Sequence, residues 1–334
     1  MTNKLCKTLG ISSPIIQLPV HTLTNGKMIA AVSEAGALGI LGINSGYNAN
    51  ADATSGASSS KGNEVGDREN YSILDTMTER NLMNEQIDSA LENTFRSFGI
   101  EVPIVNDDPD QDPTALALVQ LMRKRRLTIG LVETFGKTIS NSWVKLFHEN
   151  GIRILFAAND IAKAKAAIDK GIDVLICTSP DLTSFIKLDS DLPVVAGYNI
   201  TDSEAVKNAF NAGADGVAIS TLFASCQESP MNEEIKKQIF SSNKRDLATF
   251  QFPNKKVYSL KGAFPEKLEQ LSNDQTNPEE IFKTAGKYQG LINGMAKDDL
   301  INGYTDLDPD IDSINSSLSA EKIVQKIISA IPKE

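Results

Sequence analysis

Two short segments near residue 200 carry the strongest chemical signal in the chain. LPVVAG (192–197) and GADGVAISTLF (213–223) each contain an apolar run that stops at small residues, Gly197 in the first and Ser220-Thr221 in the second. Exposed backbone N–H groups in such turns, together with the N-terminus of a following helix, favour an anion, commonly a phosphate. The Thr221 hydroxyl adds another donor at the same place. His21 follows the first apolar run of the chain, where an imidazole could act as a base or a hydrogen-bond donor near neutral pH. The same position also suits a solvent-facing histidine or one that caps the next helix. Glu133 and Asp107 end two more runs, as ligands at the same opening or as helix caps, and His148 falls on the polar side of a helical pattern. Cys177 lies inside an apolar run with no histidine nearby in sequence and reads as a small core residue. Two histidines and carboxylates without ligand spacing predict no metal site.

These groups need a frame that brings them to one end. Ala205, Val206, Ala209 and Phe210 recur at helical spacing between the two segments, and Gly213 closes that helix. The result is a βαβ unit, whose strands are parallel and whose two turns share one end of the sheet. Further apolar runs of strand length are Pro14–Pro19, Leu38–Ile43, Val102–Val105, Thr128–Val132, Arg153–Ala157 and Asp173–Cys177. Between them lie helical patterns marked by Met28 to Ala35, Leu82 to Phe98, Ala115 to Met122, Trp143 to Phe147 and Ile161 to Ile168. The basic cluster Arg123 to Arg126 reads as the solvated end of the third of these. Alternation of this kind predicts an α/β fold, a (β/α)8 TIM barrel.

Residues 1–230 and 310–334 are expected to form the barrel, with a flexible loop rich in Ser, Gly and Asn at 45–67 over the same strand ends. Residues 231–309 break the alternation and predict a mostly helical, lid-like insertion after strand eight. Its helices are expected near Glu233–Phe240, Pro278–Gly286 and Tyr288–Leu300. Ala320–Ile331, with Ser319 as N-cap, is expected to be the last barrel helix.

Composition bounds the partners. The chain has 334 residues, 41% hydrophobic and 23% charged, enough for one large core. Its net charge of -10 argues against nucleic acid, which requires a basic surface. Three scattered cysteines suggest no disulfide framework, and no stretch has the length and apolarity of a membrane span, so a cytoplasmic protein is expected.

The blocks PIIQLP, AAVSEAGALGILG, PIVN, AKAAIDKGIDVLI, LPVVAG and GADGVAISTLF, in this order and spacing, resemble one family. It is the FMN-dependent barrel family of nitronate monooxygenases (2-nitropropane dioxygenases) and flavin-type enoyl-acyl-carrier-protein reductases. The likeness runs from about Leu5 to Phe223, weakens through the insertion and returns at Ile311 to Ile328. It implies a flavoprotein with FMN over the barrel mouth, contacting Gln17, Pro19, Val20 and Asn106, and with its phosphate on Gly197, Tyr198, Ser220 and Thr221. Nitronate oxidation with oxygen is the activity implied first. NAD(P)H-dependent enoyl-thioester reduction is the second, and a catalytically degenerate flavin- or phosphate-binding barrel the third. A small-molecule substrate is expected, and a homodimer is an open expectation.

The chain departs from the family pattern at several points. Val20 stands where a methionine is usual, Ser220 where a glycine is usual, and Thr178 to Leu182 replace the Glu-Ala-Gly-Gly-His block that carries the usual catalytic histidine. His21 is the substitute expected here. Tyr198 stands where a second glycine is usual, and would be strained if that position requires positive φ.

Overall fold

A computed structural model describes residues 3–47, 73–188 and 191–332. Most of the loop expected at 45–67 lies outside these residues. Ser45, at its start, is buried, and its hydroxyl donates to the carbonyls of Thr24 and Gly42 at 2.7 Å each.

Eight parallel strands form one sheet: β1 (Ile15–Gln17), β2 (Ile40–Leu41), β3 (Gly99–Pro103), β4 (Ile129–Glu133), β5 (Arg153–Ala158), β6 (Val174–Cys177), β7 (Val194–Ala196) and β8 (Gly216–Ile219). They pair in chain order, and β1 returns to β8 with Ile15 opposite Val217. A parallel bridge between Ile16 and Leu38 joins β1 to the approach of β2 and closes the barrel. Buried parallel strands have no polar face, and the short runs VLIC, VVA and GVAI are accordingly buried at every residue.

Ile16, Ile40, Leu131, Leu155, Ile176 and Val195 belong to one apolar cluster in the barrel interior. Leu5 and Leu9 join it from α1 (Lys4–Leu9), a helix the periodicity does not announce. A Cβ on Gly216 would lie 2.4 Å from Leu5 Cδ2, so that glycine is what lets α1 approach.

The outer helices start where a side chain can accept the first free N–H groups. Asn25 caps α2 (Gly26–Glu34), Asp75 caps α3 (Thr76–Leu91), Asp112 caps α4 (Pro113–Arg125) and Ser140 caps α5 (Asn141–Glu149). Asp160 caps α6 (Ile161–Ile168), Asp181 caps α7 (Leu182–Ile186) and Asp202 caps α8 (Ser203–Asn211). Helix α3 stops at Leu91, earlier than its apolar spacing suggests. Phe95 is fully exposed, and Phe98 is buried immediately before β3, which starts at Gly99 because that residue is opposite Ile40.

After α9 (Thr221–Ala224), the segment 231–309 contains α10 (Glu233–Ser241), α11 (Ala263–Asn273), α12 (Pro278–Thr284) and α13 (Tyr288–Lys297). It also contains an antiparallel hairpin, β9 (Leu247–Gln251) with β10 (Lys256–Leu260), which the helical expectation did not include. Phe250, Val257, Tyr304 and Ile235 pack in one apolar cluster with Ile15, Val217 and Phe223 of the barrel. Ser319 accepts from Lys322 N–H and starts α14 (Ala320–Ala330), as expected.

Candidate active site

The C-terminal ends of the strands open into a cavity of about 1560 Å³. It exceeds the common size of a small-molecule site, so a ligand as large as a flavin has room beside a substrate. The hairpin turn, α12, the start of α13 and the segment Asp306–Pro309 form the wall opposite the barrel. Six lysines line it (Lys137, Lys163, Lys255, Lys256, Lys283 and Lys287), against an equal number of carboxylates. The lining is therefore balanced although the chain carries -10, and an anion there depends on particular donors.

His21 is placed by the turn after β1. Thr24 Oγ1 accepts from Val20 N–H at 2.9 Å, and Thr22 N–H donates to Ile43 O at 2.9 Å. Thr22 has φ 66°, a left-handed conformation that a β-branched residue rarely adopts. Such strain persists where surrounding contacts impose it, and it is concentrated at functional sites. The turn aims His21 at Glu101 in the middle of β3. Nε2 lies 3.0 Å from Glu101 Oε2 and 3.1 Å from Oε1, with only 13% and 6% of the two side chains exposed. Oε2 also accepts from Ile43 N–H at 3.0 Å, so the carboxylate ties the segments after β1 and β2 to the middle of β3.

Burial would lower the pKa of His21, but the charge of Glu101 and its hydrogen bond raise it more, and the net direction is upward. Tyr288 packs edge-on against the imidazole at 4.6 Å and 86°. Glu133, at the end of β4, lines the cavity beside this pair and accepts from Phe135 N–H at 2.5 Å. Burial, and then the charge of Glu101, push its pKa up. Lys255, in the hairpin turn, forms an ion pair with Asp306. The pair closes the far side of the same space.

Pro19, Val20, His21, Tyr198 and Ser220 line the cavity, whereas Gln17, Asn106, Gly197 and Thr221 do not. Gln17 is fully buried in the β1–β2 seam, where Oε1 accepts from Ile40 N–H at 2.9 Å and Nε2 donates to Leu18 O at 2.6 Å. Asn106 is exposed, and its carbonyl accepts from Trp143 Nε1 at 2.7 Å. Gly197 donates to Cys177 O at 2.8 Å, and a Cβ there would meet Ile176 Cγ2 at 2.7 Å. Asp107 is exposed, and His148 is a surface residue 3.0 Å from Asp173.

The expected strain at Tyr198 is absent. The left-handed residue of that turn is Asn199, with φ 55°, and asparagine tolerates this conformation.

The second turn differs more. Thr221 is fully buried; its N–H donates to Asp308 Oδ2 at 3.0 Å, and its Oγ1 accepts from Asp308 N–H at 2.6 Å. Both groups that would hold a phosphate are thus engaged by one residue of the segment after the hairpin. Burial raises the Asp308 pKa, while hydrogen bonds from the Thr221 backbone and side chain to the carboxyl favour its carboxylate form. An anion about 4 Å from that carboxylate is repelled by roughly 4 kcal/mol per pair of unit charges at an effective dielectric near 20. As arranged, these residues do not fit the phosphate of FMN. The misfit is confined to that end of the cavity.

Among the described residues no group of three or more His, Cys, Asp or Glu could hold a metal ion, and no helix is long and apolar enough to cross a membrane. Sequence reasoning passed over Glu101, Lys255, Tyr288 and Asp308. Glu101 left a signal: a carboxylate inside the buried run GIEVPIV requires a partner.

Residues 178–330 match the family model for nitronate monooxygenase. Nitronate monooxygenase of Pseudomonas aeruginosa is 28% identical over 276 residues, spanning 72% of this chain and 74% of its own. A probable nitronate monooxygenase of Staphylococcus aureus (strain MSSA476) is 24% identical over 298 residues, 81% of this chain and 82% of its own. In structure, FabK from Thermotoga maritima superposes with a TM-score of 0.77 at 18% identity, over 99% of this chain and 96% of that one. Nitroalkane oxidase from Streptomyces ansochromogenes gives a TM-score of 0.69 at 17% identity, over 98% of both chains. These two share the fold.

Proposed function

From a chain that is a distant homologue within the nitronate monooxygenase family, we propose an oxidoreductase that acts on a small carbon acid or its anion, of the alkyl nitronate class, at the barrel mouth. The family consists of FMN-dependent oxidoreductases. The observation that carries the reading is the buried His21–Glu101 pair at 3.0 Å on the floor of that mouth. Glu101 orients the ring through Nε2, and Nδ1 has no protein partner among the described residues. With its pKa raised, the imidazole favours the protonated form, whose Nδ1–H is a charge-assisted donor to a nitronate oxygen. Deprotonated, the same nitrogen accepts a proton from a carbon acid.

Tyr288 and the Lys255–Asp306 pair, from the segment 231–309, cover the imidazole from the opposite wall. We assign that segment the part of a lid. It keeps water away from His21 and strengthens the electrostatics there.

Oxygen uptake with an alkyl nitronate, measured with FMN and with riboflavin supplied, tests the proposal. Uptake that depends on nitronate and falls about 100-fold or more in His21→Asn is the expected result. No uptake with either flavin would sink it. NAD(P)H-dependent reduction of an enoyl thioester, without nitronate oxidation, would instead support the reductase reading. A second reading, a barrel that binds without turnover, draws on the engaged donors of Thr221. It predicts ligand binding that His21→Asn leaves intact and no turnover with either substrate.

A further inference from the structure

We propose that the mouth cavity takes a flavin without its terminal phosphate, of the riboflavin class, and that Asp308 is the residue that selects against FMN. The inference rests on the flavin-oxidoreductase reading and specifies its ligand.

The segment around Asp308 is fastened across both turns that would cradle a phosphate. At the β8 turn, Asp308 bonds Thr221 twice, at 3.0 and 2.6 Å. At the β7 turn, Asp310 N–H donates to Asn199 Oδ1 at 2.9 Å, and Asn199 is the left-handed residue of that turn. Ser313 Oγ donates to Thr201 O at 3.1 Å, and on the other side Leu307 N–H donates to Tyr258 O at 3.0 Å. Five hydrogen bonds therefore hold 307–313 against the segments that follow β7 and β8 and against the hairpin. A carboxylate fixed in this way is part of the wall.

Its charge is uncompensated. Lys255 is paired with Asp306, Lys244 lies 3.4 Å from Asp310, and no cation is paired with Asp308 among the described residues. A phosphate dianion would displace the carboxylate from Thr221 or lie beside it, and either course is unfavourable. The hydroxyl end of a polyol chain has the opposite preference. Asp308 Oδ2 accepts from Thr221 N–H, and Asp308 lines the cavity, where a carboxylate with about four lone-pair sites can accept a further donor. A hydroxyl can donate to that carboxylate where a phosphate oxygen cannot. The site thus discriminates by a repulsive element as well as an attractive one.

Quenching of flavin fluorescence, read while the full-length chain freed of bound flavin is titrated into riboflavin or FMN at neutral pH, provides the test. Wild type is expected to bind riboflavin about tenfold or more tighter than FMN. Asp308→Asn keeps an acceptor for Thr221 N–H but removes the charge, and is expected to bring the two affinities together. Asp310→Asn removes a charge from the same segment and is expected to leave the ratio as it is. Equal or tighter binding of FMN by wild type overturns the proposal, as does failure to bind riboflavin. A ratio unmoved by Asp308→Asn overturns the role of Asp308. The wild-type ratio decides the ligand class even where the variant does not fold. Selective riboflavin binding without nitronate turnover would leave this inference standing and remove the activity proposed above; turnover supported equally by both flavins would do the reverse.

Discussion

Nε2 of His21 lies 3.0 Å from Oε2 of Glu101, and that oxygen also accepts the N–H of Ile43 at 3.0 Å. The carboxylate therefore has two tasks. It fixes the loop after β2, and it sets both the orientation and the charge of the imidazole. His21 also carries strain in its neighbour, since Thr22 is held at φ 66°.

Removing the charge of Glu101 should move the titration of His21. Glu101 raises the His21 pKa above its ordinary 6.5, so kcat/KM for a nitronate is expected to fall as pH rises through that pKa. In Glu101→Gln the fall moves to lower pH. The stability linkage has the same sign: a histidine whose folded pKa is raised contributes stability that is complete below its unfolded pKa and is lost as pH rises through the folded one. The difference in melting temperature between wild type and Glu101→Gln should accordingly shrink in alkaline buffer. An unchanged pH profile in the variant would remove His21 from the chemistry.

Glu79 offers a further pH test, at a buried carboxyl that also feels the charges of His21 and Glu101. It is fully buried on α3, accepts from Asn44 N–H at 3.0 and 3.2 Å, and burial pushes it up to about 7 from 4.5. In the intervening range the native state binds more protons than the unfolded chain, so stability falls as pH rises from 4.5 and the full penalty is present above 7. A displacement of this size corresponds to roughly 3 kcal/mol. Glu79→Gln retains an acceptor for Asn44 and should gain melting temperature over wild type in mildly alkaline buffer, with little gain in acid. A gain confined to acid would contradict the assignment.

Much of the frame was legible in the sequence because buried parallel strands are apolar throughout. Runs such as VLIC and GVAI need only their ends found, and Ser319 announced the last helix by its capping type. Helix α1 was not legible, since six residues with two buried leucines make too short a pattern. The hairpin of β9 and β10 was lost inside a segment judged by its helical spacing. At the β7 turn the strain considered at Tyr198 could not be decided from residue type alone, and the backbone places the left-handed conformation at Asn199. The pairings that define the site could not be read at all. His21 and Glu101 are 80 residues apart, and Thr221 and Asp308 are 87 apart. Only closure of the barrel and folding of the late segment onto it bring them together. The family likeness of the sequence blocks is strongest up to Phe223, whereas the family model matches residues 178–330 and so includes the late segment.

Gln17 should matter to stability. Its side chain holds Ile40 N–H across the seam at 2.9 Å, and Gln17→Leu leaves that buried donor unpaired. A loss of about 1–3 kcal/mol is expected in chemical denaturation. A variant as stable as wild type would show that the seam does not depend on the amide.

The buried cysteines should be inert in the folded protein. Burial pushes Cys177 up to about 11 and Cys226 up to about 12, which leaves little thiolate at neutral pH. A thiol reagent is expected to modify them only after unfolding. Rapid modification of Cys177 in the native state, with activity lost in parallel, would contradict its reading as a small core residue.

The visible absorption spectrum of the full chain, recorded after incubation with riboflavin and removal of the excess by gel filtration, tests the central claim most directly. A yellow protein is expected, with a flavin band at ~450 nm that diminishes when an alkyl nitronate is added without oxygen. A protein that emerges colourless, or one whose bound flavin band is unaffected by the nitronate, would contradict it.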